Sequence, residues 1–80
     1  MINELSDNLN RLHTTEMGVD RIRRNMNLND DIDVVSWCKE KILDINARIE
    51  KRGKNWYVEN MDCIITVNAG SYTIITVHRR

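Results

Sequence analysis

The chain has 80 residues, and its 12 basic and 12 acidic side chains leave no formal net charge at pH 7. That length fits a single domain, residues 1–80, near the lower size at which a hydrophobic core alone stabilises a fold. Zero net charge argues against a free-standing RNA enzyme, since nucleic-acid binders usually carry a basic excess. Two cysteines, no recognisable signal peptide and no membrane-length apolar run predict a cytoplasmic protein that makes no membrane contact.

The first half of the chain is patterned as helices. Apolar residues from Ile2 to Leu12 recur at spacings of three and four, which predicts one amphipathic helix. A second helix should begin at Thr14 or Thr15, because a threonine hydroxyl can accept from the free N–H groups of a first turn. Gly18 in that turn indicates close packing, since glycine in a helix otherwise costs roughly 1 kcal/mol against alanine.

A third helix is expected after a polar break at residues 27–30. Either Asp30 or Asp31 is the predicted N-terminal cap of this helix. Apolar residues at helical spacing then continue to about Leu43, where we expect the helix to end.

From Ala47 the apolar period changes to that of β-strands. Strands are predicted at residues 47–51, 55–59, 63–68 and 71–78. Short Gly-containing loops separate the first two and the last two, which is typical of hairpins. The predicted architecture is therefore α+β, with three N-terminal helical segments followed by a four-stranded antiparallel β-sheet.

The last two strands carry apolar residues on both faces near their middles, Ile64 beside Ile65 and Ile74 beside Ile75. One layer of helices covers one face, and monomers rarely leave a large apolar patch open. We therefore predict a homodimer formed through the second face or the edge of the sheet. The residues expected to be buried are Ile22, Val35, Cys38, Ile42, Ile65, Val67, Ile75 and Val77.

Several segments resemble one bacterial family in combination. They are Leu12-His13-Thr14-Thr15-Glu16, the Arg-Ile-Arg-Arg-Asn at 21–25, Trp37-Cys38, Asn55-Trp56-Tyr57-Val58, Ile65–Asn68 and Ser71–His78. The family they resemble is the domain-of-unknown-function family numbered thirty-seven eighty-one, over nearly the full length. The chain departs from it at Gly70, where a bulkier, often aromatic residue is expected. The resemblance implies a small bacterial protein and transfers no activity.

The helices-then-sheet plan is shared with small ribonucleases of the toxin type, which cleave RNA without metal. Such cleavage needs a base, an acid and cations that stabilise the phosphorane. His13 and Arg21 are the candidate catalytic residues, because a separation of eight is close to two helical turns. In the plainer interpretation, His13 ends a helix and the arginine belongs to a solvated face. The polar residues considered for this site are His13, Glu16, Arg21, Arg24, Lys54, Asn68, Thr73 and His78.

A basic hairpin is the other candidate for nucleic-acid binding. Lys51, Arg52 and Lys54 precede two aromatic residues, and such a tip can lie along a phosphate backbone while an aromatic ring stacks on a base. Arg24 on the second helix is the remaining candidate phosphate ligand. The alternative is an ordinary solvated turn.

No metal or cofactor is expected. Cys38 and Cys63 lack the close spacing of structural zinc sites and fall at core-facing positions, so we interpret them as buried small hydrophobes. Two functions remain open from the sequence. One is a non-catalytic binding or regulatory module that uses its sheet face for a protein partner or a second copy. The other is a ribonuclease-like enzyme, which convergence of His13, Arg21, Lys54 and Asn68 in one cleft would favour.

Overall fold

The computed structural model describes residues 4–80, in which the helices precede a four-stranded sheet. The helical elements are α1 (Glu4–Asp7), a 3-10 turn (Leu9–Arg11), α2 (Glu16–Met26) and α3 (Val34–Ile42). The strands are β1 (Arg48–Arg52), β2 (Asn55–Glu59), β3 (Cys63–Asn68) and β4 (Ile74–Arg79). Each strand pairs antiparallel with the next in the order β1-β2-β3-β4, which confirms the predicted α+β class and element order. No helix within residues 4–80 combines the length and the apolar character needed to cross a bilayer.

The first helical segment is broken where the sequence predicted one continuous helix. α1 ends at Asp7, and Asn8 leaves the helical conformation with φ −120° and ψ 27°. The side-chain amide of Asn8 donates to the carbonyl oxygen of Glu4 at 2.8 Å. Asparagine competes in this way with the helical backbone, and the chain continues as a 3-10 turn. Leu12, the last apolar residue of the predicted helix, is still buried. Ile2, the first, lies outside the described residues.

α2 begins as predicted. Thr15 is its N-cap, and the Oγ1 atom of Thr15 accepts from the Gly18 N–H at 3.0 Å. The close packing expected at Gly18 is confirmed, because a Cβ atom there would overlap the hydroxyl of Thr14. That hydroxyl donates to the carbonyl oxygen of Ile74 at 3.0 Å, so the glycine permits the first turn of α2 to lie against the start of β4.

The predicted cap of α3 is wrong. α3 begins at Val34 with Asp33 as its N-cap, rather than at Asp30 or Asp31. The cause is Arg23 on α2, whose guanidinium donates to two backbone carbonyls of the preceding loop at 3.0 Å each. Those bonds hold the loop in a turn, so the helix starts later than the local sequence predicts.

The described helices and the sheet share one hydrophobic core. Six of the predicted core residues are buried, which confirms their assigned phase: Ile22, Cys38, Ile42, Ile65, Val67 and Val77. Val35 is only half-buried, because Val34 takes the buried position at the start of α3.

Ile75, which the alternation of β4 predicted to be buried, is 42% exposed. The reason is a β-bulge between β3 and β4. Thr66 lies opposite Thr76, whereas Val67 lies opposite Ile74, so Ile75 is the extra residue of the bulged strand. A bulge of this kind shifts the alternation of side chains by one position. Ile74 therefore enters the core in place of Ile75.

The face of the sheet opposite the core has no helical layer among the described residues, because the buried helical side chains all join the core-facing cluster. We call this the open sheet face. The strand registers assign to it Arg48, Glu50, Arg52, Asn55, Tyr57, Glu59, Ile64, Thr66, Asn68, Thr76 and His78. Part of this face forms a shallow depression of about 190 Å³.

The bulge gives a stability prediction. Replacing Ile65, which is fully buried, by alanine should lower the free energy of unfolding by roughly 2–5 kcal/mol. Replacing Ile75 by alanine deletes the same atoms at a partly exposed site and should cost much less. Urea unfolding followed by circular dichroism compares the two variants directly. Equal losses would show that Ile75 is buried and that the bulge is misplaced.

Candidate functional site

Three segments meet at one end of the sheet, which we call the loop end: the linker before α2, the β1–β2 turn and the β3–β4 loop. The Ala69 N–H donates to the carbonyl oxygen of Lys54 at 2.8 Å, which joins the loop to the turn. The His13 N–H donates to the Tyr72 carbonyl at 3.2 Å, and the Ile74 N–H donates to the His13 carbonyl at 2.7 Å. The polar residues around this end are therefore held by backbone bonds between segments far apart in sequence.

The β1–β2 turn has two residues rather than the three predicted. Arg52 pairs with Asn55, and Gly53 between them has a φ of 61°. A two-residue hairpin of type II′ requires a positive φ at its first central residue, which glycine adopts without steric cost. The short turn leaves Lys54 at the loop end.

His13 uses both ring nitrogens in contacts within the protein. Its Nδ1 lies 2.8 Å from the carbonyl oxygen of Arg11, and its Nε2 lies 3.1 Å from Oγ1 of Thr73. A carbonyl can only accept, so Nδ1 donates to Arg11, and Nε2 shares a hydrogen bond with the Thr73 hydroxyl. A general base needs a nitrogen within reach of a substrate proton. Here the imidazole instead ties the linker to the start of β4.

Asn68 organises the β3–β4 loop. Its Oδ1 accepts from the Gly70 N–H at 2.9 Å, the Ser71 N–H at 3.0 Å and the Ser71 hydroxyl at 3.2 Å. The Ser71 and Thr73 hydroxyls are 2.7 Å apart. A continuous chain of hydrogen bonds therefore runs from Asn68 through both hydroxyls to His13.

Tyr72 in the same loop has a φ of 60°, a left-handed conformation that costs a non-glycine residue roughly 1–2 kcal/mol. Its ring is 5% exposed, and the guanidinium carbon of Arg11 lies 4.5 Å from the ring centroid. The Tyr72 N–H also donates to the carbonyl of Asn68 at 2.9 Å. Packing and hydrogen bonding thus offset the strain and fix the loop.

The cationic side chains of the predicted basic hairpin lie on different surfaces of the protein. Lys51 and Arg52 are neighbours on β1 and so point to opposite faces of the sheet. The Lys51 ammonium lies 5.8 Å from the ring centroid of Trp56 on the core side. Arg52 lies 4.4 Å from the ring centroid of Tyr57 and 3.8 Å from Oε1 of Glu50, on the open sheet face. These cations do not form one continuous patch.

Lys51 and Lys54 share a depression of about 290 Å³ at the loop end with Asn68 and the loop that follows it. Arg21 and Arg24 line a different depression, of about 360 Å³, on α2. Asn68 and Lys54 therefore lie together, and the hydroxyl chain extends this group to His13. Arg21 is not among the contacts that the described structure gives His13.

His78, the second histidine considered, lies opposite Ile64 on the open sheet face. The sheet therefore separates this exposed side chain from the core-facing layer, and no described contact joins it to His13. The structure does not present the two histidines as an acid and base pair.

The two cysteines are free and buried, as predicted. Burial raises the pKa of the Cys38 thiol to about 12 and also raises the pKa of the Cys63 thiol. The Cys63 thiol donates to Oδ1 of Asn60 at 3.4 Å. Within residues 4–80, no group of three or more histidine, cysteine, aspartate or glutamate side chains is placed to hold a metal ion.

The open sheet face holds residues that were not among the predicted site residues, although Ile64 was expected on the second face of the sheet. Tyr57 and Ile64 are half-buried there, and Arg48, Glu50 and Glu59 surround them around the shallow depression. Tyrosine and arginine are enriched where proteins bind one another. The signal was present in the alternation of β2, since Tyr57 has the opposite phase to the buried Trp56.

These features define a small α+β domain with one open sheet face and a hydrogen-bonded loop end. A family model described as "Protein of unknown function (DUF3781)" matches residues 6–78. The chain therefore belongs to that family, which confirms the resemblance read from its motifs. Neither the curated proteins nor the solved structures provide a match to the chain.

The Asn68 side chain gives a test of the loop end. Asn68→Ala removes the acceptor of three hydrogen bonds and should lower the free energy of unfolding by roughly 1–3 kcal/mol. Asn68→Asp keeps the accepting oxygen and should retain most of that stability. Thermal or urea unfolding measures both variants, and an equal loss in the two would contradict the bonding described for Oδ1.

The raised thiol pKa gives a labelling prediction. At pH 8 both thiols should be protonated and buried, so iodoacetamide should modify the native protein slowly, because the thiolate is the reactive form. The same reagent in urea should modify both cysteines rapidly. Mass spectrometry counts the added groups over time. Rapid native labelling of Cys38 would show that its thiol is neither buried nor raised in pKa.

Proposed function

We propose that this protein is a non-catalytic binding module of the bacterial cytoplasm that binds a protein partner on its open sheet face. The observation that carries the proposal is the pair Tyr57 and Ile64, half-buried on a face that no described helix covers. Their apolar surface lies inside a rim of charged residues. A central apolar or aromatic cluster with a polar rim is the usual composition of a protein interface.

The charges of this face favour a protein over RNA. Glu50 and Glu59 alternate with Arg48 and Arg52, so a phosphate backbone laid across the sheet would meet carboxylates as often as guanidinium groups. RNA-binding sheets also use exposed aromatic rings to stack bases. Arg52 already lies 4.4 Å from the centroid of the Tyr57 ring, which reduces the ring surface left for a base. A protein partner with charges of both signs suits this pattern better.

The loop end favours a binding module over a ribonuclease. Both ring nitrogens of His13 are engaged, and the candidate cations lie on separate surfaces around Arg21, Arg52 and Lys54. Metal-independent cleavage requires an acid, a base and cations around one phosphate. The hydroxyl chain from Asn68 to His13 is better explained as the support of a loop that fixes the end of the sheet.

The proposal predicts a surface-specific loss of binding. The chain carrying a photo-crosslinker at position 64 is used in cells to identify the partner, which is then purified for calorimetry. Tyr57→Ser with Ile64→Thr should weaken binding at least about tenfold, because truncating central interface residues commonly costs 2 kcal/mol or more. Met17→Ser with Ile45→Ser removes exposed apolar side chains elsewhere and should leave the affinity unchanged.

Two outcomes would contradict the proposal. In the first, the control pair weakens binding as much as the open-face pair. In the second, the purified chain cleaves a mixed RNA in EDTA at low salt and His13→Ala of confirmed fold does not. That result would establish the ribonuclease alternative. Salt-sensitive RNA binding without cleavage would identify nucleic acid as the ligand instead of a protein.

A further inference from the structure

The two edges of the sheet differ in how their backbone groups are satisfied. On the outer edge of β4, the Ile74 N–H donates to the carbonyl oxygen of His13 at 2.7 Å. The Thr14 hydroxyl donates to the Ile74 carbonyl, and the Asn25 side-chain amide donates to the Val77 carbonyl, each at 3.0 Å. The linker and α2 therefore close this edge with hydrogen bonds.

The outer edge of β1 is open within the described chain. β1 is the first strand in the sheet order, and no backbone hydrogen bond from another described element reaches Ile49 or Lys51. In a two-residue hairpin the residues flanking the turn, here Arg52 and Asn55, form a hydrogen-bonded pair, and such pairs alternate along the ladder. The backbone groups of Ile49 and Lys51 consequently point away from β2. An unpaired row of this kind is a template for another strand.

We propose that a second copy of this chain pairs antiparallel with β1, with Ile49 opposite Ile49 of the partner subunit. The outward N–H and C=O groups of the two isoleucines then bond to each other across the two-fold axis. The two four-stranded sheets become one continuous sheet. The interface is isologous, because the same strand serves on both sides.

Charge complementarity selects this register. With Ile49 opposite its own copy, Arg48 lies opposite the partner's Glu50, and Glu50 lies opposite the partner's Arg48. Opposite charges stabilise a cross-strand pair and like charges destabilise it. The Ile49 pair lies on the core side and adds apolar contact, since Ile49 packs at the margin of the core.

The neighbouring registers match less well. A slip of two residues places Glu50 opposite the partner's Glu50 and Arg48 opposite Arg52 of the partner subunit. The next slip pairs Glu50 with the partner's Arg52, but it also places Lys51 opposite the partner's Lys51, a like-charge pair on the core side. A slip of one residue moves every side chain to the wrong face. The charges of β1 thus match a second copy of the same strand best in the register centred on Ile49.

The pairing leaves the centre of the proposed partner site unchanged, because Tyr57 and Ile64 lie on β2 and β3. Arg48 and Glu50 also belong to the rim of that site, so the partner site and the dimer interface border each other. The dimer would place the two open sheet faces side by side on one surface.

Charge exchange at β1 tests the proposal. Sedimentation velocity over micromolar to near-millimolar concentrations should show the parent chain in a concentration-dependent monomer–dimer equilibrium. Arg48→Glu and Glu50→Arg each create two like-charge pairs in the dimer and should weaken self-association about tenfold or more. The double variant, R48E with E50R, restores opposite charges and should associate as the parent does. Arg24→Glu, on the exposed surface of α2, is the matched charge-reversal control.

Mixing the two single variants provides a second measurement. In an equimolar mixture, the introduced carboxylate at position 48 of one chain faces the introduced guanidinium at position 50 of the other. Glu50 of the first chain faces Arg48 of the second. A heterodimer should therefore form where neither variant associates alone. Circular dichroism verifies that each variant is folded. A parent that stays monomeric at every concentration would overturn the proposal. So would a dimer that is insensitive to both single reversals, which would place the interface elsewhere. Calorimetry of Tyr57→Ser with Ile64→Thr tests the open sheet face separately, because that variant leaves the charges of β1 unaltered.

Discussion

The hydrogen bond from the Ile74 N–H to the His13 carbonyl is the constraint on which the rest of this domain depends. It joins the linker that precedes α2 to the first residue of β4, the strand at one edge of the sheet. Once that junction exists, Thr14 can donate to the same strand and Gly18 lets the helix approach it. The helical layer is therefore aligned along β4 by specific polar contacts, and burial of apolar surface then stabilises that alignment.

Much of the fold follows from local signals. The cap at Thr15 and the strands on either side of Gly53 are encoded within a few neighbouring residues, and the sequence predicts them well. Two of the failures have non-local causes. The start of α3 depends on Arg23 donating to a loop carbonyl, and the exposure of Ile75 depends on how β4 pairs with β3. The alternation of apolar residues along one strand does not show how that strand is paired with its neighbour.

The candidate site also divides into features that the sequence predicts and features that depend on the folded structure. Sequence reasoning selected His13, Lys54 and Asn68, which do lie at one end of the sheet. It assigned His13 a chemical role because an imidazole beside an arginine suits phosphate chemistry, whereas the hydrogen bonds use both ring nitrogens to hold backbone segments together. The sequence also predicted that the second face of the sheet binds a partner, but it did not indicate which residues lie at the centre of that face. Its central residues, Tyr57 and Ile64, become neighbours only when β2 and β3 are paired.

The close approach of Gly18 and Thr14 has a consequence for the outer edge of β4. Any side chain at position 18 would displace the threonine hydroxyl and expose the Ile74 carbonyl on the outer edge of β4. The His13 and Asn25 bonds would still cover the rest of that edge, so the loss is one unsatisfied acceptor and not an open strand. The missing Cβ of a single glycine therefore decides whether the start of β4 is sealed completely or leaves one carbonyl oxygen without a donor.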